Sequence, residues 1–211
     1  MTSTSGQLNS VVPLLETFSA MRVDYNGTSN GTSFSEQGSY AVVYSSATTI
    51  KVTITTTFQT SSSSSGTETL TAWILKNDTV VAIDEAGFNL TGSEGQTVMT
   101  GLFGGFVFEV DAGQSLGSYT SSSFATKTGT SQVTLGGHTF TVTDYALSGS
   151  SQTLNICGSS DSYTKFTLAV GTPSGTNYPL ITSFSEAGTF TDNGQVTTEA
   201  VIVQITSLTI A

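Results

Sequence analysis

The sequence predicts an all-β protein, an antiparallel β-sandwich or jelly roll with a short N-terminal helix or extended arm, and three observations carry that expectation. Thr49-Ile50-Lys51-Val52-Thr53-Ile54-Thr55-Thr56-Thr57-Phe58 sets apolar side chains on one parity and Thr or Lys on the other, as a half-buried strand requires. The device recurs in Phe140-Thr141-Val142-Thr143, Phe166-Thr167-Leu168 and Gln204-Ile205-Thr206. Turn signals at close spacing separate many short runs of this kind, the pattern of an antiparallel sandwich or jelly roll.

The first twenty residues are the one place where a helix competes with a strand. Leu8, Val11, Val12, Leu15 and Phe18 fall at helical spacing and Pro13 suits a first turn, so a short helix over roughly Pro13 to Ala20 is one reading. An extended arm is the other, because Met21, Val23 and Tyr25 already alternate. Residues 1–31 are therefore expected to form an N-terminal arm and flexible loop. Residues 32–211 are expected to form a single β-sandwich domain, since no linker longer than the Ser/Thr tracts divides them.

Within that domain strands are predicted over Gly38–Ser45, Thr48–Thr60, Glu68–Lys76, Thr79–Asp84, Thr97–Asp111, Gln132–Leu135, His138–Tyr145, Gln152–Cys157, Lys165–Val170, Tyr178–Phe184, Gly188–Asp192 and Val196–Ile210. Lys76-Asn77-Asp78-Thr79, Leu135-Gly136-Gly137-His138 and Asp192-Asn193-Gly194-Gln195 signal tight hairpins, because Asn and Gly accept positive φ. The apolar parity switches between Ile205 and Leu208, which predicts a bulge near Thr206-Ser207. Ser61–Ser65 reads as a hairpin loop. Thr32-Ser33-Phe34-Ser35-Glu36-Gln37-Gly38 is echoed by Thr182-Ser183-Phe184-Ser185-Glu186-Ala187-Gly188. With so little chain after the second copy, equivalent strand starts in two sheets explain the echo better than a duplicated domain.

Composition narrows the function. Charged residues make up 9% of the chain against roughly 25% in ordinary soluble proteins, while Ser and Thr together make up about a third. A net charge of −10 and a pI near 4.1, with Arg22, Lys51, Lys76, Lys127 and Lys165 scattered, exclude nucleic acid as an expected partner. The same scarcity of ions leaves few pairs for acid to break. A single cysteine, Cys157, forms no internal disulfide and reads as a small buried residue. No run approaches the roughly 18 apolar residues of a membrane span. Met1-Thr2-Ser3-Thr4-Ser5-Gly6-Gln7 lacks a basic, apolar leader, so either a leader has been removed or the protein leaves the cell by another route.

The usual instruments of catalysis are nearly missing. Gly113-Gln114-Ser115-Leu116-Gly117 has the spacing of a nucleophile elbow, but Ser118-Tyr119-Thr120-Ser121 follows where a helix is needed. His138, the sole histidine, follows a Gly-Gly turn and lacks partners for a transition metal. Asp84-Glu85, Glu109, Asp111 and Asp144 are carboxylates near strand ends without a calcium-loop spacing. Trp73, beside Ile74 and Leu75, reads as core rather than as a sugar platform. No catalytic residue, metal or cofactor is expected. Asn26, Asn30, Asn77 and Asn89 head sequons and are the glycosylation candidates, the first three in predicted turns.

Hydroxyl-rich strands, little charge and candidate sequons together resemble the β-sandwich virion structural proteins of thermoacidophilic archaeal viruses, over the whole chain and without a family-specific motif. That resemblance implies a capsid, turret or tail protein, located on the virion or at an extracellular surface. A secreted pilus-like filament subunit assembling by strand addition is the second expectation. A carbohydrate-binding adhesin using Tyr25, Tyr119, Tyr163 and Tyr178 as platforms is the third. Partners are expected to be further copies of the chain and other structural proteins of the same particle or filament. The candidate assembly residues are Val11, Val12, Leu14, Leu15 and Phe18 of the arm, with Phe103, Phe106 and Phe108 of Met99–Phe108, a segment apolar on both parities.

Overall fold

The computed structural model describes residues 11–60, 65–85, 88–92, 94–95, 98, 120–156, 159–192 and 194–211. Helix α1 (Val11–Thr17) turns Val11, Val12, Leu14 and Leu15 inward. Pro13 sits in its first turn, where a proline removes no intrahelical hydrogen bond. The Val12 N–H, one of the donors a helix start leaves unmatched, donates to Asp78 Oδ1 at 2.9 Å. Lys76 pairs with Glu16, and the Ala211 N–H donates to the Thr17 carbonyl at 3.0 Å. The helix is therefore held by a distant turn and by the C-terminal residue rather than by its own short length.

Twelve strands follow: β1 (Phe18–Ser29), β2 (Thr32–Ser45), β3 (Thr49–Thr60), β4 (Ser65–Leu75), β5 (Val80–Glu85), β6 (Phe88–Leu90), β7 (Ala125–Leu135), β8 (His138–Leu147), β9 (Gln152–Ile156), β10 (Ser159–Gly171), β11 (Leu180–Asp192) and β12 (Gln195–Ile210). They form one antiparallel sheet in the order β6-β5-β4-β3-β2-β1-β12-β11-β10-β8-β7, with β9 paired to β10 off that path. A first meander runs outward from β1 to β6. The later strands return from β7 to β12, and β12 docks beside β1.

The all-β, antiparallel expectation holds, and the described strands lie in one continuous sheet, because β1 pairs with β2 on one side and with β12 on the other and so joins the two meanders. That sheet is strongly curled. The Gly136 turn between β7 and β8 lies so close to β12 that a Cβ at Gly136 would stand 1.8 Å from the Leu208 carbonyl oxygen. In a flat sheet β8 and β12 would be about 14 Å apart, three strand spacings. The curl wraps one core, in which Val52, Ala72 and Ile83 share a cluster with Val142, Phe166 and Ile205.

The expected N-terminal arm is corrected. Residues 18–29 are the central strand β1, and Asn30 (φ 48°) with Gly31 (φ 80°) makes a tight turn into β2 in place of a flexible loop. Val11, Val12, Leu14, Leu15 and Phe18 lie in the chain's own core, with Leu14 and Phe18 fully buried. The arm's part of the apolar surface assigned to assembly is thus covered from within.

Local expectations fare better. The three predicted hairpin turns join β4 to β5, β7 to β8 and β11 to β12. The bulge falls where the parity switch placed it, since Arg22 faces Ser207 and Val23 faces Ile205, leaving Thr206 over. The echoed segments lie on β2 and β11, which flank the central β1–β12 pair of one sheet. Glu36 faces Tyr25 and Phe58, while Glu186 faces Val201 and Phe166. A local two-fold passing through the Asn26–Ile202 pair relates the two registers. The chain order is reversed across it, β1 preceding β2 but β12 following β11, so the repeat is one of strand environment and not of a duplicated unit.

Two outcomes follow for stability. Leu14→Ala and Phe18→Ala should each lower the free energy of unfolding by about 2–5 kcal/mol in denaturant titrations, and deletion of residues 2–20 should abolish cooperative unfolding. Gly136→Ala should cost far more melting temperature than Gly137→Ala. Both have positive φ, 57° and 81°, but only at Gly136 does a Cβ meet backbone.

Candidate functional site

The outer face of the sheet is a lattice of hydroxyl pairs. Thr55 and Thr69, and Thr57 and Thr67, stand directly opposite on β3 and β4 with side-chain oxygens 3.2 Å apart in each pair. On the other half of the sheet the Thr134 and Thr139 hydroxyls meet at 2.8 Å, Gln132 Nε2 donates to Thr141 Oγ1 at 2.7 Å, and the Thr167 and Ser185 hydroxyls meet at 2.6 Å. Cross-strand pairs of this kind contribute roughly 0.2–1 kcal/mol each. Ions do little of this work: among the described residues only Arg22–Asp24, at 3.2 Å, and Lys76–Glu16 are ion pairs.

Trp73 belongs to this outer face, which corrects its assignment to the core. Its neighbours Ala72 and Ile74 take the inward parity and are buried, leaving the indole half-exposed with Lys51 Nζ 5.0 Å from its ring centre.

The two ends of the sheet differ. β6 is 3 residues long, whereas β7 runs for 11. Ala125 and Leu135 anchor the ends of β7 in the core, and between them Thr126, Lys127, Thr128, Thr130, Ser131, Gln132 and Thr134 are exposed on both parities. No described strand pairs with its outer side. A register shift between Lys127 and Gly129 separates its first residues from the regular ladder after Gly129. Charge is sparse here, for residues 112–160 contain Lys127 and Asp144 as their only charged side chains. Asp144 Oδ1 accepts a hydrogen bond from Ser131 Oγ at 3.1 Å.

Titratable chemistry gathers at the open end of the inner face. There Tyr25, Glu36 and Phe58 are successive cross-strand neighbours on β1, β2 and β3, with the Phe58 ring lying over Gly66, where a Cβ would approach it to 2.7 Å. Burial pushes the Tyr25 hydroxyl above the ordinary tyrosine range, and the Glu36 charge adds to the rise. Burial likewise pushes the Glu36 carboxyl up, although its side chain reaches solvent at the rim. Tyr40, deeper on the same face, is raised by burial and donates to the Phe18 carbonyl at 3.1 Å. At the same rim a shallow groove of about 220 Å³ is lined by Glu36 and Phe58 together with the outward Asp24, Asn26, Ser35, Gln37, Thr57 and Gln59. It offers hydrogen-bonding groups but no nucleophile held against a base. No group of three or more His, Cys, Asp or Glu able to hold a metal occurs among the described residues, and no helix there is long and apolar enough to cross a membrane.

The sequons separate by backbone. Asn26 lies within β1 between Ser35 and Ile202, not in a turn, because the Asn30-Gly31 pair makes the turn and Gly27 is accommodated in the strand beneath the Phe34 ring. Asn30 is in the turn, and its Oδ1 accepts the Thr198 N–H at 3.0 Å. Asn77 is in the β4–β5 turn with its Oδ1 accepting the Thr79 N–H at 3.2 Å. Asn89 is exposed on β6. His138 is exposed just after its Gly-Gly turn. Of the tyrosine platforms, Tyr163 is fully buried, edge-to-face with Phe124 at 5.2 Å and Phe190 at 5.3 Å, and Tyr178 packs edge-to-face on Phe18 at 5.8 Å. Phe103, Phe106, Phe108, Glu109, Asp111, Ser115, Tyr119 and Cys157 lie outside the described residues.

No family model matches the chain, and no curated protein sequence does. Among solved structures it is similar to MucB in a complex of MucB with MucA(peri), at 10% identity over 95% of this chain and 54% of that one, with a TM-score of 0.35. It is also similar to a DUF1329 family protein from Desulfovibrio piger, at 9% identity over 95% of this chain and 89% of that one, with a TM-score of 0.22. The chain spans about half the length of MucB. Likenesses this distant carry no functional argument.

Glu36 gives a signed pH dependence. Its folded-state pKa is raised, so the folded protein holds that proton more tightly than the unfolded chain, and stability falls as pH rises through the folded value. Glu36→Gln should therefore raise the melting temperature at pH 7, and the difference should vanish by about pH 3, where both states are protonated.

Proposed function

We propose that the protein is a non-enzymatic structural subunit of an exposed assembly, in the first place a virion capsid, turret or tail protein. The observation that carries this reading is the outer face itself, where cross-strand hydroxyl and amide pairs link β3 to β4, β7 to β8 and β10 to β11 while ion pairs are few. Such a surface keeps its hydrogen bonds when carboxylates are protonated and when salt screens charge. It suits a particle that must stay intact outside a cell. A closed sandwich or jelly roll belongs to the same proposal, as the completion of the curl around the core.

A secreted filament subunit is the second reading, and the long open side of β7 favours it. The adhesin reading loses support, because Tyr163 and Tyr178 are packed against other aromatic rings. Electron microscopy and light scattering of the purified full chain across concentration and pH test the proposal; a monodisperse monomer under every condition would count against it. The melting temperature should move by only a few degrees between neutral pH and about pH 3, since the Arg22–Asp24 and Lys76–Glu16 pairs are solvent-accessible and contribute little. Cooperative acid unfolding above pH 3 would contradict the physical basis of the reading.

A further inference from the structure

We infer that the open side of β7 is a self-association surface that pairs with β7 of a second copy, antiparallel, about a two-fold axis through Gln132. This rests on the assembly reading above and names the contact. Its starting point is the β7–β8 turn. Gly136 and Gly137, both at positive φ, form a two-residue hairpin loop, so the flanking Leu135–His138 pair is hydrogen-bonded and the pairs alternate from there. Val133–Phe140 and Ser131–Val142 are then bonded pairs, while Thr134–Thr139 and Gln132–Thr141 are the close, non-bonded kind. The side-chain contacts at 2.8 Å and 2.7 Å fall on those two close pairs, as the alternation requires. The N–H and C=O groups of Thr130, Gln132 and Thr134 consequently point away from β8, toward the open side.

Those residues read Thr-x-Gln-x-Thr and are palindromic about Gln132. Antiparallel pairing centred there sets Thr130 opposite Thr134 of the second copy, Gln132 opposite Gln132, and Val133 opposite Ser131. Each outward donor meets an outward acceptor, and the hydroxyl rungs already present at Thr134–Thr139 and Gln132–Thr141 continue across the axis. Electrostatics select a second copy of this acidic chain at this edge rather than elsewhere. The chain carries −10 overall, yet residues 112–160 contain only Lys127 and Asp144 as charges, so two copies approach here with the least repulsion. In this register Lys127 falls opposite the Gly137 turn and not opposite its own counterpart. β7 has no proline, and its one charge, Lys127, and its irregularity before Gly129 both precede Thr130–Thr134, which carry none of the usual protections of an edge strand, while the opposite edge is blunted by the brevity of β6.

Sedimentation equilibrium and oxidative cross-linking of the full chain test this. Thr130→Lys with Thr134→Lys opposes like charges across the axis and should weaken self-association at least tenfold. Thr130→Lys with Thr134→Glu opposes unlike charges and should restore it. In a Cys157→Ser background, Gln132→Cys should give a disulfide dimer, because a bonded antiparallel pair holds its Cα atoms about 5.5 Å apart, whereas Thr143→Cys on β8 should not. Unchanged thermal unfolding in each variant confirms that only the edge was altered. Assemblies that persist undiminished in the double-lysine variant would overturn the inference while leaving the assembly reading intact. A wild type that stays monomeric at every concentration would overturn both.

Discussion

Everything in this fold hangs on the pairing of β1 with β12. The two strands come from opposite ends of the described chain, with Phe18 facing Ile210 and Ser29 facing Glu199, yet they lie at the middle of the sheet. On their inner face Met21, Val23, Val203 and Ile205 are all buried, and the outer strands of each meander are added to that seam in order. The bulge at Thr206 turns Leu208 inward, and Leu208 is the residue whose backbone the Gly136 turn contacts. The curl therefore depends on the same pairing. Helix α1 is a dependent of it as well, because its C-terminal residue Thr17 runs directly into β1 and accepts the Ala211 N–H just past the end of β12.

The outer face follows from the same constraint. A single sheet curled around one core turns its other side outward, and each strand must offer an outward side chain at every second residue. Threonine meets the requirement economically. Its branched Cβ suits the extended backbone and its hydroxyl both donates and accepts, so opposed threonines satisfy each other without a counterion. That is why a chain with 9% charged residues still has a polar outer surface, and why its titration behaviour concentrates in a few partly buried groups such as Glu36 and Tyr25.

Strand existence and turn chemistry were legible in the sequence because both are local. Alternation of period two announced the cores of β3, β8 and β12, and Asn-Gly, Gly-Gly and Asn-Asp announced hairpins. What the sequence concealed was neighbourhood. Nothing in Met21-Arg22-Val23-Asp24-Tyr25 reveals that both of its edges are occupied, so β1 reads as the tail of an arm. Its Asn30-Gly31 turn is as clear a signal as the others, but the Gly, Ser and Thr around it give the same composition as a flexible loop. The first half of β7 is hidden for another reason: Thr126 to Ser131 carry no apolar parity, since both faces of that stretch are wet. Its signal lies in the partner instead, for β8 continues past Tyr145 to Leu147 and needs a companion of matching length. Trp73 shows the opposite error: its apolar neighbours Ile74 and Leu75 suggest core, whereas its parity on β4 places it outside.

The position of β12 also governs how the molecule comes into being. Residues are made from the N-terminus, so α1 and β1 to β6 exist while the central strand still lacks its second neighbour, and the chain must hold a half-finished sheet with one raw edge at its heart until the last sixteen-residue strand is released. Contacts spanning nearly the whole chain make the closing step slow relative to the local hairpins. During that interval the exposed edge of β1 presents Tyr25 and Val23 to any passing strand, including that of another nascent chain. Shielding of that edge until β12 arrives thus bears on the yield of folded protein as directly as the packing of the finished sheet.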